Sequence, residues 1–587
     1  MTARSAWGAW IGIAVVGLGL AGCAATGRRV KETWTGGDRP PESPFPTRAA
    51  LETLGPAPSE EQMSSLDMAA VEKWDLAGPF PERIGVVPAA YRGGFGGELV
   101  TFAQQRKGRL LASADMACVA RESGRFLLDR DTLPPGGLQR HIGGRCGSPG
   151  VRHRVLSLSG EVPERATEED VLAHWKDGFA KLMGKIPGGP ETRAAGVWFG
   201  HRGKKAIIAL AVADLEVDLE TLAFAPAADG TVAVTGALVN QSGRLEALVT
   251  RGRTQYAVCE ADPATKLPRF SFRCPVNHGD PSAWVSLFVF PPDQVLGTVA
   301  VDLLVFPQGK GSSTYARPVL RAPPGAPEEA GARFASLLNG LRAEQGLAPL
   351  ALSEGESRVA TKIAPHYFAS MFGLAPKAVA DTVALGMLAG WEVEQVTRGA
   401  YFSDWVGSGD VGSLLAEMLE TPGARRTLFE PHVRAMAFGT FRLPSRGVLG
   451  ALVTTYAPFE EQPQGAEARQ VMDALNKARA EKGLGPAKLV ALPADTRTEM
   501  DEALARGGSA RDALQVVMQR AVNLTSRNVQ GSVVQAGMLE KLPFPEELLR
   551  RPQLVVFVAV THYKPRWSPW GLYVIALAYT EQVGQTA

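Results

Sequence analysis

The chain has 587 residues, 45% of them hydrophobic and 21% charged, with 62 Lys and Arg against 60 Asp and Glu. A net charge of +2 lacks the basic footprint by which a dedicated nucleic-acid binder neutralises phosphate, so no nucleic-acid partner is expected. The apolar content excludes a disordered chain, and the length provides for about three or four domains at roughly 100–200 residues each.

The first feature is Arg4, then an uncharged run from Trp7 to Ala21, then Gly22 and Cys23. The run is short for a spanning helix and has the order of a secretory signal. It resembles a bacterial lipoprotein signal with its lipobox, Leu20-Ala21-Gly22-Cys23. The resemblance implies removal of residues 1–22, acylation of Cys23 and anchoring to a membrane through that lipid. Ala24 favours the outer membrane, on its periplasmic or surface face. Gly17-Leu-Gly-Leu-Ala-Gly22 spells a dinucleotide fingerprint but lacks the strand and helix that such a site needs.

Four cysteines remain, Cys118, Cys146, Cys259 and Cys274. An even number in an exported chain suits disulfides, with three connectivities open. Pairing inside predicted domains favours Cys118 with Cys146 and Cys259 with Cys274.

Residues 23–60 are rich in Pro and Gly and read as a tether. Residues 65–215 mix periodicities: Leu110–Asp129 and Glu169–Met183 read as helices, and 194–200 and 206–213 as strands around the basic turn His201-Arg-Gly-Lys-Lys205. From 216 to 310, short alternating runs separated by turns such as Asp229-Gly230 predict a β-sandwich. Prolines at 318, 323, 324 and 327 mark a linker over 311–327.

The second half contains a repeat. Leu338-Asn-Gly-Leu-Arg-Ala-Glu-Gln-Gly-Leu-Ala-Pro-Leu350 aligns with Leu475-Asn-Lys-Ala-Arg-Ala-Glu-Lys-Gly-Leu-Gly-Pro-Ala487 at an offset of 137, with eight of thirteen positions identical. Gly346 and Gly483 are suited to helix C-caps, followed by Pro, but capping does not require the Leu-Asn and Arg positions. Both copies end in a strand pair, and Trp198-Phe-Gly200 matches Ala437-Phe-Gly439. The domains are 328–460 and 465–582, with a more diverged copy over 65–215.

Leu338-Asn339, Arg342, Gly346-Leu347-Ala-Pro349-Leu350, Ala360 and His366 to Met371 resemble the opening of CAP domains, the SCP/PR-1 or cysteine-rich secretory superfamily. Glu394-Gln-Val-Thr-Arg-Gly399, Thr421-Pro-Gly-Ala-Arg425, Leu428-Phe-Glu-Pro431 and Met436-Ala-Phe-Gly439 are similar to its later segments. The resemblance implies an α+β class, with α-β-α sandwich domains around an interposed all-β domain, and a cleft in which many members hold a divalent metal on two His and two Glu. Here Ala424 stands at a cleft His position, and Val522 stands where the second copy would carry Glu.

Zinc needs three or four protein ligands within reach. Glu394, His366 and His432 are the cleft candidates, and each is also well explained as a helix or loop residue. No G-x-S-x-G, HExxH or P-loop occurs. Tyr563, Trp567, Trp570 and Tyr573, interleaved with Lys564 and Arg566, could meet a partner or simply close a sheet edge. The expected protein is a non-enzymatic, lipid-anchored envelope component, without catalytic residues, metal or cofactor, that binds lipid, glycan or protein or serves a structural role. A metal-dependent hydrolase or protease with a rearranged cleft is the rival reading, and a surface adhesin is a third.

Overall fold

The computed structural model describes residues 12–13, 30–32, 46, 48–55, 59 and 71–581. Within the last range it leaves out 152, 189–190, 240–242, 292–295, 310, 323–324, 372–373, 391–395, 407–408, 444–447, 460–461, 464, 507–508, 526–528, 538, 540–541 and 565–569. The chain forms two compact bodies, one built on Thr47–Met387 and Ala400–Thr455, the other on Leu388–Gly399 and Tyr456–Ala587. No described helix is long and apolar enough to cross a membrane. The class is α+β.

The first fold runs α1 Gly94–Gln105, β1 Leu110–Ala112, α2 Ala114–Arg130, α3 Gly136–Arg145, β2 His153–Glu161, α4 Glu168–Met183, β3 Thr192–Arg202 and β4 Lys205–Leu215. The sheet order is β1-β3-β4-β2, with β1 parallel to β3 and the other pairs antiparallel. Alternation on β4 separates two helix layers. Ile208, Leu210 and Val212 join Phe95, Leu99 and Phe179 of α1 and α4, whereas Ile207, Ala209 and Ala211 join Val119 and Phe126 of α2. The helical reading of Leu110–Asp129 is thus corrected: its first three residues are a strand too short to show a period of two, and α2 begins only after Ser113.

The all-β portion comprises β5 Val217–Leu219, β6 Thr231–Leu238, β7 Arg244–Arg251, β8 Gln255–Val258, β9 Glu260–Ala261, β10 Arg269–Pro275, β11 Ala283–Phe290 and β12 Gly297–Val305. One sheet has the order β12-β11-β7-β8, with Gly12–Ile13 paired on the free edge of β12, and the other β9-β10-β6-β5. They enclose one core in which Val232, Val234, Phe270 and Phe272 meet Val249, Val285, Leu287 and Val301. Disulfides join Cys118 to Cys146, tying α2 to the end of α3, and Cys259 to Cys274, next to the Glu260–Arg273 pair of β9 and β10.

Two segments expected to be free of structure contribute to it. Residues 48–52 form a short helix with Leu51 buried. In the 311–327 segment, Thr314–Ala316 pairs antiparallel with Lys73–Asp75 and buries Tyr315.

The next fold comprises α5 Ala330–Glu344, β13 Ala351–Leu352, α6 Glu354–Met371, α7 Lys377–Ala389, β14 Val396–Val406, α8 Val411–Met418, α9 Pro422–Phe429, β15 Ala435–Leu443 and β16 Val448–Pro458. The last has α10 Ala466–Glu481, β17 Lys488–Val490, α11 Thr496–Ala505, α12 Ala510–Thr525, β18 Gln530–Ala536, β19 Leu554–Tyr563 and β20 Leu572–Glu581. Their sheet orders, β13-β15-β16-β14 and β17-β19-β20-β18, repeat that of the first fold, again with the short outer strand parallel to its neighbour. Val30–Glu32 pairs beyond β18. On β19, Val556, Val558 and Val560 face the α10 core, and Phe557 and Ala559 face α11 and α12.

The repeated Asn and Arg have a structural role that capping does not supply. Asn339 Oδ1 accepts from the Leu350 N–H at 2.8 Å and Asn476 Oδ1 from the Ala487 N–H at 2.8 Å, bracing the loop that follows each helix. Arg342 donates to the carbonyls of Ala348 (2.8 Å) and Leu428 (2.6 Å). Arg479 donates to those of Gly485 (2.9 Å), Leu548 (2.6 Å) and Pro552 (3.2 Å). Arg106 does the same after α1, reaching Ile186 and Pro187 ahead of β3. In each fold an arginine at a helix end ties the chain entering the central strand. Strand register also revises one correspondence. Ala112 faces Ala195 and Leu352 faces Met436, which places Trp198 opposite Gly439 rather than Ala437. A Cβ on Gly124 would meet the Trp198 ring at 2.3 Å, and one on Gly439 would meet Ala360 at 2.4 Å, so the close helix–strand contact uses glycine on opposite partners.

Candidate functional site

A cavity of about 460 Å³ opens within the first compact body, walled by α3, strands β11 and β12, the 312–318 segment, Asp404 of β14 and the α8–α9 turn. The glycines of α3 make the closeness of these walls possible. A Cβ at Gly137 would come 2.5 Å from both Glu417 carboxylate oxygens, and one at Gly144 would come 2.6 Å from Leu304. Gly136 and Gly143 approach Trp405 and His153 in the same way, so the Gly136-Gly137 and Gly143-Gly144 pairs act as spacers against four different neighbours.

Arg140 forms the best-defined polar contact. Its guanidinium meets Asp302 through two bonds, Nε to Oδ2 at 2.5 Å and Nη2 to Oδ1 at 2.9 Å, while Nη1 donates to the Glu420 carbonyl at 3.0 Å. The same group lies 3.7 Å from the centroid of Trp284, a cation–π contact, and Ser286 Oγ donates to Asp302 at 2.7 Å. This cation is committed to protein partners.

The opposite wall is acidic. Tyr315 Oη donates to Glu417 Oε1 at 3.0 Å. Burial, with the negative charge of Glu420, pushes the Glu417 carboxyl up to about 7, against the opposing Tyr315 hydrogen bond. Burial and then the Glu417 charge push Asp404 up to about 8, although Asp404 Oδ1 accepts from the Trp405 N–H at 2.8 Å. Burial likewise raises the Tyr315 phenol far above its usual range. Burial and the neighbouring Arg145 charge hold His141 at about 4, so its imidazole is neutral; its Nε2 is buried without a hydrogen-bond partner. His153, held at about 4 by burial, shares a hydrogen bond between Nε2 and Ser148 Oγ at 3.0 Å.

The residues expected to form a cleft are elsewhere or outside view. Cys23 and Glu394 lie outside the described residues. His366 is half-buried on α6, with burial holding its imidazole below the usual range, and His432 sits in the turn before β15; neither lines the cavity. Ala424 is fully buried in the first turn of α9, where its N–H donates to the Thr421 cap at 3.3 Å. Its neighbour Arg425 reaches the β7–β8 hairpin, donating to the carbonyls of Arg251, Gly252 and Gln255 at 2.8–3.0 Å. The Thr421–Arg425 segment is therefore a docking element. Among the described residues, no group of three or more His, Cys, Asp or Glu is arranged to hold a metal ion.

Parts of the two partner-binding features are engaged within the protein. In the basic turn, Arg202 pairs with Asp129 at 2.7 Å and Lys205 with Asp131 at 3.0 Å. Trp570 is buried with its Nε1 donating to the Leu388 carbonyl, and Tyr573 packs edge-on to Phe459; Arg566 and Trp567 lie outside the described residues. No motif marked the cavity. Its walls come from stretches scattered between residues 136 and 421, and the paired glycines of α3 carried the local sign of close approach.

No protein-family model matches the chain. No curated protein matches it. Among solved structures, it is similar to a cysteine-rich secretory protein from Staphylococcus aureus at 11% identity, over 39% of this chain and 77% of that one, with a TM-score of 0.18. A superposition that loose carries no argument about fold or function.

Proposed function

We propose that the protein is a lipid-anchored component of the bacterial cell envelope. Its three α-β-α folds are degenerate CAP-like domains, arranged with a β-sandwich to hold a small envelope ligand rather than to catalyse a reaction. The lipobox resemblance supports the anchor, and the shared strand order with its recurrent arginine supports common descent of the folds. The single observation that carries ligand binding is the preformed cavity, polar on two sides and apolar at Leu304 and Phe306, whose lining arginine, Arg140, is already engaged.

Expression in a two-membrane bacterium tests the anchor. The wild-type chain is expected in the outer-membrane fraction, and Cys23→Ala is expected to release it to the soluble fraction or leave it uncleaved in the inner membrane. Identical outer-membrane recovery of both chains would overturn the assignment.

A further inference from the structure

We infer that the cavity beside α3 selects a small organic cation, a primary ammonium group carried on a compact apolar or neutral body. This rests on the ligand-binding reading of the same cavity and names the ligand's chemistry.

The argument begins with which hydrogen-bonding groups remain. Arg140 donates from Nε and from both terminal nitrogens to Asp302 and the Glu420 carbonyl, and lies on Trp284. Tyr315 spends its hydroxyl hydrogen on Glu417. Three acidic residues, Asp404, Glu417 and Glu420, line the space, beside His141, whose Nε2 is buried without a hydrogen-bond partner. An ammonium supplies three donors and a positive charge, and so complements this surplus of acid. Trp284, Leu304 and Phe306 offer apolar contact to the body that carries it.

The groups that set the charge of Glu417 and Asp404 can be named from each side. Arg140 and His141 come from α3, Asp302 from β12, Tyr315 and Arg317 from the 312–318 segment, and Glu420 from the turn after α8. Asp302 is neutralised by Arg140, and His141 is uncharged near neutral pH. Without a ligand, protons hold Asp404 and Glu417 neutral over part of the physiological range. A bound cation takes the place of those protons, so binding releases protons and strengthens as pH rises.

The test is isothermal titration of the full chain with three probes on one body: cyclohexylmethylamine, cyclohexylmethanol and cyclohexanecarboxylate. The amine is expected to bind at pH 8.5, about tenfold or more weakly at pH 6 if one carboxyl near 7 must ionise, with a heat that varies with buffer ionisation enthalpy. Asp404→Asn and Glu417→Gln, which keep the shape of the neutral acid, should each weaken the amine at least tenfold and remove most of the pH dependence. Should either variant fail to fold, the pH profile and buffer dependence of the wild-type chain decide alone. Tighter binding of the alcohol or the carboxylate overturns the cation assignment and leaves the small-ligand reading standing. Binding of none of the three overturns both.

Discussion

Arg479→Met is the sharpest perturbation of the fold. The arginine is fully buried and holds three carbonyls, those of Gly485 at 2.9 Å, Leu548 at 2.6 Å and Pro552 at 3.2 Å. Methionine fills much of the same volume without a donor, so the loss is electrostatic rather than a cavity. Two short charge-assisted bonds and one longer one disappear; the Leu548 carbonyl stays buried, whereas Gly485 and Pro552 are exposed and water can reach their carbonyls. At about 1–3 kcal/mol for the stranded carbonyl and about 1 kcal/mol for each of the other two bonds, the cost is about 3–5 kcal/mol. For a body of roughly 150–250 residues, each kcal/mol lowers the melting midpoint by about 2–4 °C, giving a fall of about 6–20 °C. Differential scanning calorimetry reads it directly, and the shift should be confined to the transition of the body that contains 456–587. Arg479→Lys, with one compact donor head in place of a fork, should recover only part of the loss. A midpoint within about 2 °C of wild type, or full recovery by lysine, would refute the reasoning that this arginine ties the entry to β19.

Gly137→Ala should destabilise the first body by about 1–3 kcal/mol, seen in urea titration, because its Cβ would lie 2.5 Å from the Glu417 oxygens; an unchanged midpoint would mean that α3 is free to move. Stability should also fall as pH rises from about 6.5 to 8.5. Asp404 and Glu417 have folded-state values raised to about 8 and 7, so the folded protein holds protons that the unfolded chain has already lost. His141 and His153, lowered to about 4, act with the opposite sign, and their contribution is confined to lower pH. Asp404→Asn should flatten the decline in melting midpoint, and an identical slope would count against a buried, protonated Asp404. Cys259→Ser with Cys274→Ser opens a loop of 15-residue separation and should cost about 3 kcal/mol, measured as a shift in the first body's urea midpoint.

Periodicity made much of this fold readable. The runs 231–239, 284–290 and 299–306 lie almost wholly within β6, β11 and β12, because buried antiparallel strands in a sandwich announce themselves by apolar runs between turns. The offset of 137 exposed Asn339 and Arg342 with their counterparts Asn476 and Arg479. Their purpose became clear only with the carbonyls they bind, some of which lie 69–88 residues further on. The short parallel strand β1 was hidden because three residues cannot display a period.

The cavity was illegible for a different reason. Asp302, Tyr315, Asp404 and Glu417 are unremarkable singly, and their chemistry comes from shared burial, which has no local pattern. The sequence instead drew attention to Ala424, a residue whose side chain carries no metal donor. The structure adds that the segment around it is engaged in docking through Arg425.

Native mass spectrometry of the chain extracted from membranes in a non-denaturing detergent puts the account to its most direct test. The account predicts a mature chain beginning at a lipid-modified Cys23 and carrying a small amine-bearing adduct that is absent from the Glu417→Gln chain. A chain that starts at Met1 without lipid, and is empty in both forms, would contradict it.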